Sequence, residues 1–163
     1  MPLATLTEST GLSPEALDAA LTELVADDVV AAAGLSVAPA AHRLRLDVVD
    51  LRTWCAFDAI GIPAALGLDA LASTRCPVCA AVLEVALAQG RPPADGPLFG
   101  WLPDRPCSNV QADFCPEANL FCSRDHLDQW RVEANDPTGR VYTLAGLAAR
   151  GAEVWAEMRD PAT

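Results

Sequence analysis

Apolar and polar positions follow two different periods along the chain, and the first third shows both. Ser13 precedes a proline and an acidic residue, the favoured order at a helix start, and apolar side chains then recur three or four positions apart up to Val25. A shorter helical segment over residues 4–10 comes before it. Residues 43–48 alternate charged and apolar side chains, as a half-buried strand does. Helix, turn, helix and strand predict a winged-helix-like unit over residues 1–50.

The pattern beyond this unit predicts a second, loop-rich unit over residues 51–163. Asp50 is placed to cap a helix through residues 54–58, which we expect to break near Gly61 and Pro63. Prolines and glycines then separate short apolar runs that are typical of strands. The predicted strands are residues 81–88, 98–102 and 119–121.

Two further helices are predicted towards the end of the chain. Ser123 precedes a helical pattern that runs to about Val132, and Thr143 precedes an amphipathic one; both residue types are favoured N-caps. We therefore expect an α+β protein, in which the winged-helix-like unit is followed by a small loop-rich sheet with flanking helices.

The charge balance argues against nucleic acid as a partner. The 163 residues include 22 acids and 11 bases, giving a formal net charge of −11. Phosphate contacts need clustered positive charge, and the helix predicted after Ser13 contains four acids and no base. We therefore expect that the winged-helix-like unit does not bind DNA.

We expect neither a membrane-spanning segment nor a secretory leader. No uncharged apolar run reaches the length of a span, and residues 1–12 lack a basic stretch followed by an apolar one. We expect a cytoplasmic protein without a membrane partner. The six cysteines are then better explained by metal binding or catalysis than by disulfides.

Cys55 and Asp58 are spaced to share one face of a predicted helix. A carboxylate beside a thiol can take the thiol proton and later return it, which is acid–base catalysis. The alternative is a buried cysteine that behaves as a small apolar side chain, with Asp58 bonded to a nearby backbone group.

Cys76 and Cys79 form a CxxC pair, and Cys122 with His126 offers a second half-site. Three sulfurs and one imidazole would suit Zn²⁺ or another soft ion. Inert thiols and a redox-active CxxC remain alternatives, and His126 could instead be a solvated residue on a helix surface.

The remaining cysteines lie in a loop bounded by prolines. We expect Cys115 to be exposed and reactive there. Cys107 has no companion feature and receives no role.

Two segments together resemble the organomercurial (alkylmercury) lyases. Residues 52–60, Arg-Thr-Trp-Cys-Ala-Phe-Asp-Ala-Ile, resemble the family's Trp-Cys-Ala-Leu-Asp segment. Residues 113–123, Asp-Phe-Cys-Pro-Glu-Ala-Asn-Leu-Phe-Cys-Ser, are similar to its Ser-Phe-Cys-Cys-His-x-His-Phe-Phe-Ala-Ser segment without a gap. The resemblance covers roughly residues 1–134. The family's well-known members are longer at the N-terminus, so the resemblance leads us to expect an abbreviated winged-helix-like unit here.

The resemblance implies an enzyme that cleaves carbon–mercury bonds by protonolysis. Cys55 and Cys115 would bind mercury, and Asp58 would be the acid/base. Lysis would need no cofactor, Hg(II) would remain as the bound product, and small thiols or a mercuric reductase would remove it.

The sequence also departs from the family pattern. Pro116 replaces the second adjacent cysteine, and Glu117 and Asn119 replace two histidines. Cys79 and Cys122 are additions, and with Cys76 they resemble small TRASH/YHS-type metal-binding modules. The alternative function is therefore a thiol-rich metal-binding or metal-sensing protein without lyase activity; a structural zinc beside a lyase site is also expected to fit.

Overall fold

The computed structural model describes residues 13, 35–36, 41–46, 49–94, 96–135 and 137–156. Over these residues the fold consists of two antiparallel sheets and three α-helices. The strands are β1 (Leu35–Ser36), β2 (His42–Leu46), β3 (Val49–Thr53), β4 (Ala70–Arg75), β5 (Val82–Leu87), β6 (Phe99–Pro103), β7 (Asn119–Phe121) and β8 (Gly139–Thr143). The helices are α1 (Ala56–Leu66), α2 (Arg124–Glu133) and α3 (Leu144–Val154). Mixed helices and antiparallel sheets agree with the expected α+β class, whereas the two helices predicted before β1 lie outside the described residues.

The first sheet has the strand order β1-β3-β2-β4-β5, and the second has the order β7-β6-β8. In β5, exposed and buried side chains alternate, which matches the period of a strand with one face in the core. The predicted boundary between residues 50 and 51 falls inside β3, which pairs with β2 along its whole length. Buried residues of both sheets form one hydrophobic cluster, so the two sheets share a core.

Helix α1 lies in the middle of this core. Its residues 56–65 are all buried, as expected for a helix in which Asp58 is the one charged residue among apolar ones. The predicted break near Gly61 and Pro63 is wrong, because the helix runs through both and ends at Gly67 in the left-handed conformation (φ 66°). Gly61 is needed for packing: a Cβ there would lie 2.9 Å from the Cα of Gly151 in α3.

The start of α1 also differs from the prediction. Asp50 is not a helix cap but a residue of β3, and the N-cap is Cys55, whose backbone is extended. Strands β3, β4 and β8 were not predicted, and β2 overlaps the strand predicted over residues 43–48. Strands β5, β6 and β7 and the N-caps Ser123 and Thr143 lie where the sequence placed them. Within the part of the chain that the structure describes, no helix is long and apolar enough to cross a membrane.

Candidate active site and metal centre

Cys55 lies where β3 ends and α1 begins. Its backbone N–H donates to Oδ2 of Asp58 at 3.3 Å, and its carbonyl accepts a hydrogen bond of 2.9 Å from the buried hydroxyl of Thr53. The backbone that carries the thiol is therefore held at the start of the helix. Because Asp58 is three residues further along the same helix, its carboxylate folds back over the helix start.

Cys115 follows a π-helical turn over residues Val110–Phe114. Its N–H donates to the carbonyl of Val110 at 2.9 Å. The carboxylate of Asp113 accepts hydrogen bonds from the backbone N–H groups of Ser108 (3.0 Å) and Asn109 (2.9 Å), which closes the loop upon itself.

The expectation that Cys115 is exposed is wrong. The loop turns its thiol inward, and the following residues lie on the start of α1, where the Ala56 N–H donates to the carbonyl of Ala118 at 3.1 Å. Cys115 is 5% exposed, Cys55 0% and Asp58 5%. The two sulfurs and a carboxylate oxygen all lie within 4.8 Å of one another.

Burial decides the protonation of this group. It raises the pKa of the Cys55 thiol well above its ordinary value, and the neighbouring Cys115 and Asp58 side chains raise it further. Burial also raises the pKa of Asp58 to about 6, although hydrogen bonds from Cys55 and from the Trp54 backbone work in the opposite direction. A carboxyl group with a pKa near neutrality beside a protonated thiol can accept and return a proton.

The residues that replace the family's pattern after Cys115 have local structural contacts. Glu117 forms an ion pair with Arg105 at 2.7 Å, and the Asn119 side-chain amide donates to the carbonyl of Pro116 at 2.9 Å. Neither contact involves Cys55, Asp58 or Cys115.

Cys76, Cys79, Cys122 and His126 form a second group. Cys76 and Cys79 lie in the turn between β4 and β5; Cys122 follows β7, and His126 lies in the first turn of α2, where its N–H donates to the N-cap hydroxyl of Ser123. The structure thus brings together all seven residues singled out in the sequence, in two separate groups.

Two distances in the second group are those expected of ligands around one ion, whereas the 2.9 Å between Sγ of Cys122 and Nδ1 of His126 is a hydrogen-bond contact that an ion between the two atoms would widen. Sγ of Cys79 is 3.7 Å from Sγ of Cys122, and Sγ of Cys76 is 3.6 Å from Nδ1 of His126. Zinc–sulfur and zinc–nitrogen bonds at tetrahedral angles place such atoms about 3.5–3.8 Å apart. All six cysteines are free thiols, so the Cys79–Cys122 approach is a contact, not a disulfide.

Hydrogen bonding distinguishes the sulfurs of this group. Burial acts to raise the pKa of Cys76, but hydrogen bonds, chiefly from the backbone of Cys122, Cys79 and Val78, lower it to about 6. Burial and the nearby thiols of Cys79 and Cys76 raise the pKa of Cys122 to about 11.

A family model described as MerB, alkylmercury lyase, matches residues 35–156, which is most of the chain. The chain belongs to the alkylmercury lyase family. It is 27% identical over 120 residues to an alkylmercury lyase from Streptomyces lividans, and this match covers 71% of the chain and 54% of that protein. The chain therefore spans about half the length of this curated relative.

The fold of this alkylmercury lyase family member is similar to that of a solved structure, the mercury-bound form of MerB2. The TM-score is 0.68 at 18% identity, and the match covers 98% of this chain and 83% of the other. At that identity, the similarity shows a shared fold.

A cavity of about 640 Å³ lies beside Asp58 in this family member. Its aromatic wall consists of Trp54, Phe57, Phe114, Tyr142 and Trp155. The Phe57 ring is 4.9 Å from the Trp155 ring and 6.0 Å from the Phe114 ring, measured between centroids. Two ion pairs, Arg140–Asp104 and Arg150–Glu153, line the same cavity.

The sequence did not single out this wall as functional. Trp155 belonged to the apolar pattern of the last predicted helix, which indicates burial but not the partner. Its position beside Phe57 depends on the packing of α3 against α1 through Gly61 and Gly151, and neither glycine carries a pattern that identifies the other.

Proposed function

We propose that the protein cleaves carbon–mercury bonds of small organomercurials by protonolysis. Cys55 and Cys115 bind mercury, and Asp58 moves the proton. The observation that carries the proposal is the buried group in which two thiols and a carboxylate lie within 4.8 Å of one another. Thiolates are soft ligands and suit a soft metal.

The first step activates a thiol. The ionised carboxylate of Asp58 accepts the proton of Cys55, whose sulfur then bonds to the mercury of R–Hg–X. The group X leaves with its electron pair. The high pKa of the buried thiol makes this step depend on a nearby base, which Asp58 supplies.

The second step breaks the carbon–mercury bond. The sulfur of Cys115 bonds to mercury, its proton being taken up by the departed X. Asp58 then donates its proton to carbon, which keeps both electrons of the broken bond, and R–H leaves. The net reaction is R–Hg–X plus two thiols giving R–H, H–X and Hg(II) held by two sulfurs. Mercury stays Hg(II), so the balance requires no redox cofactor.

Product release needs other thiols. Two small thiols can replace Cys55 and Cys115 on Hg(II) and return their protons; a mercuric reductase that presents its own thiols could do the same. Six unpaired cysteines fit a reducing compartment such as the cytoplasm.

The cavity supports an organic group R of aromatic size. The wall formed by Phe57, Phe114 and Trp155 offers ring faces and edges next to Asp58, which is the proton donor.

The test is hydrocarbon release from phenylmercury in the presence of excess small thiol. Wild type should release benzene, whereas Cys55→Ser and Cys115→Ser should not exceed the rate without protein. Cys107→Ser is the comparison variant: Cys107 is an exposed thiol of neither group that also lines the cavity, so its rate separates loss of a cavity thiol from loss of a mercury ligand.

The second group favours the alternative function, a metal-binding or metal-sensing protein. That alternative would hold if wild type and Cys55→Ser released equally little benzene while the purified protein carried one metal ion per chain.

A further inference from the structure

The two halves of the second group come from different sheets. Cys76 and Cys79 are carried by the β4–β5 turn of the first sheet, whereas Cys122 and His126 follow β7 of the second sheet. An ion held by all four would therefore connect the sheets side chain to side chain.

The same two sheets carry the two thiols that we assign to mercury. Cys55 follows β3, which is linked through β2 to β4 by backbone pairing, and β4 leads directly into Cys76. On the other side, the short segment that begins at Cys115 continues through β7 and ends at Cys122. Each mercury-binding thiol is thus connected to one half of the second group.

Close to the thiols themselves, a backbone hydrogen bond joins the two sides. It runs from the Ala56 N–H to the carbonyl of Ala118, at 3.1 Å. A single hydrogen bond holds a distance less firmly than a coordinated ion, whose binding contributes directly to folding. The shared hydrophobic core also holds the two sheets together, and an ion at the far end of β7 would add a coordinated link that further limits the separation of the Cys55 and Cys115 sulfurs.

We propose that Cys76, Cys79, Cys122 and His126 bind one Zn²⁺, which fastens the sheet bearing Cys55 to the segment bearing Cys115. Three thiolates and one imidazole form a closed structural zinc set, since four protein ligands leave no position for a substrate. The four residues are positioning residues and do not touch the substrate. The statement about the thiol pair rests on the proposed function; the zinc site does not.

Zinc content and cobalt substitution test the site independently of turnover. Elemental analysis should find one zinc per chain in wild type and in Cys107→Ser, and none in Cys79→Ser. Cys79→His, which keeps a ligand at an exposed position, should retain the zinc. Protein loaded with Co²⁺ should show the visible absorption of tetrahedral sulfur coordination. If the melting temperature of metal-free wild type did not change when zinc was added, the zinc site would be overturned.

Alkylation mapping tests the effect on the thiol pair. Iodoacetamide is applied well below the melting temperature of each variant, and peptides are quantified by mass spectrometry. Loss of zinc in Cys79→Ser should raise the modification rate of Cys55 and Cys115 at least tenfold, while Cys107 stays within twofold. The kcat for benzene release should fall at least tenfold in the folded variant, and Cys79→His should restore both values.

Folded, zinc-free Cys79→Ser with wild-type alkylation rates at Cys55 and Cys115 would overturn the positioning role and leave the zinc site standing. If Cys79→Ser does not fold, wild type and Cys79→His are compared before and after zinc removal by a chelator, with the same two readings. Wild type that binds zinc but releases no benzene would contradict the lyase proposal and leave the zinc site standing, because zinc content and alkylation rates are both measured without turnover.

Discussion

Asp58 and Cys55 are held together by the start of a helix: Oδ2 of Asp58 accepts the Cys55 backbone N–H at 3.3 Å, and both side chains are buried. The hydrogen bond fixes the carboxylate beside the thiol. Burial nevertheless raises the pKa of Asp58 to about 6, so the group can change its charge near neutral pH. The hydrogen bond thus supplies the geometry, and burial supplies the proton affinity.

Asp58→Asn should abolish proton transfer while keeping the side-chain volume. General acid–base catalysis contributes about 10²–10⁴-fold, and we expect benzene release from phenylmercury to fall by at least about 100-fold on that basis. Binding of inorganic Hg(II) by Cys55 and Cys115 should persist, because both thiols remain. Release within threefold of wild type would show that Asp58 does not carry the proton.

The pH profile should follow the ionised form of Asp58. Since the first step needs the carboxylate, kcat/KM should be low in acid, rise through a midpoint near pH 6 and level off above it. The measurement is initial benzene release between pH 4.5 and 8 at fixed thiolate concentration. A flat profile across this range would contradict the assignment.

The free energy of unfolding should fall over the pH range in which ionisation of Asp58 raises the activity. The pKa of Asp58 is higher in the folded state than in the unfolded chain, so the folded state binds the extra proton between about pH 4 and pH 6, and the free energy of unfolding falls as pH rises through this window. At pH 8 the ionised, buried Asp58 costs at most about 3 kcal/mol. Asp58→Asn should therefore melt at a higher temperature than wild type at pH 8, and this advantage should shrink at pH 4.5. If the difference in melting temperature between Asp58→Asn and wild type were the same at both pH values, it would not come from the ionisation of Asp58.

The contact between α1 and α3 has no room for a side chain. A Cβ on Gly151 would collide with the backbone of Gly61, so Gly151→Ala should destabilise the protein by about 1–3 kcal/mol or more, as overpacking does. Gly96→Ala is the control, because a Cβ there meets nothing within 4 Å. Urea unfolding measures both, and equal midpoints would contradict the packing argument.

The aromatic wall should select between substrates. Trp155→Ala removes the ring that packs on Phe57, so kcat/KM for phenylmercury should fall by about tenfold, the size of one lost aromatic contact. Methylmercury cannot reach as much of the wall and should be affected less than threefold. Parallel assays of both substrates give the ratio, and an equal loss would indicate general damage to the fold.

Local features of this chain were predictable from the sequence, and features that join distant segments were not. The Cys55–Asp58 and Cys122–His126 spacings lie within single helical starts, so their proximity follows from helix geometry. The burial of Cys115 depends on a loop that folds back onto α1 through Ala118, and nothing in the loop's own composition indicates that contact.

The wrong prediction of a helix break near Gly61 has the same cause, because it too overlooked a contact between distant segments. Glycine within a helix usually weakens it, but here Gly61 allows α3 to approach α1, which a single sequence does not reveal. Strands β4 and β8 likewise owe their conformation to pairing with β2, β5 and β6 rather than to an alternating pattern of their own.

The most direct measurement is the isotopic content of the hydrocarbon in a single turnover. Protein equilibrated in D₂O is mixed with phenylmercury, without external thiol, and the benzene is analysed by mass spectrometry. Protonolysis predicts one benzene per active chain, carrying one deuterium, with Hg(II) retained by the protein in wild type and no benzene above background in Cys55→Ser. Equal benzene from wild type and Cys55→Ser, or benzene without deuterium, would contradict cleavage by this thiol–carboxylate group.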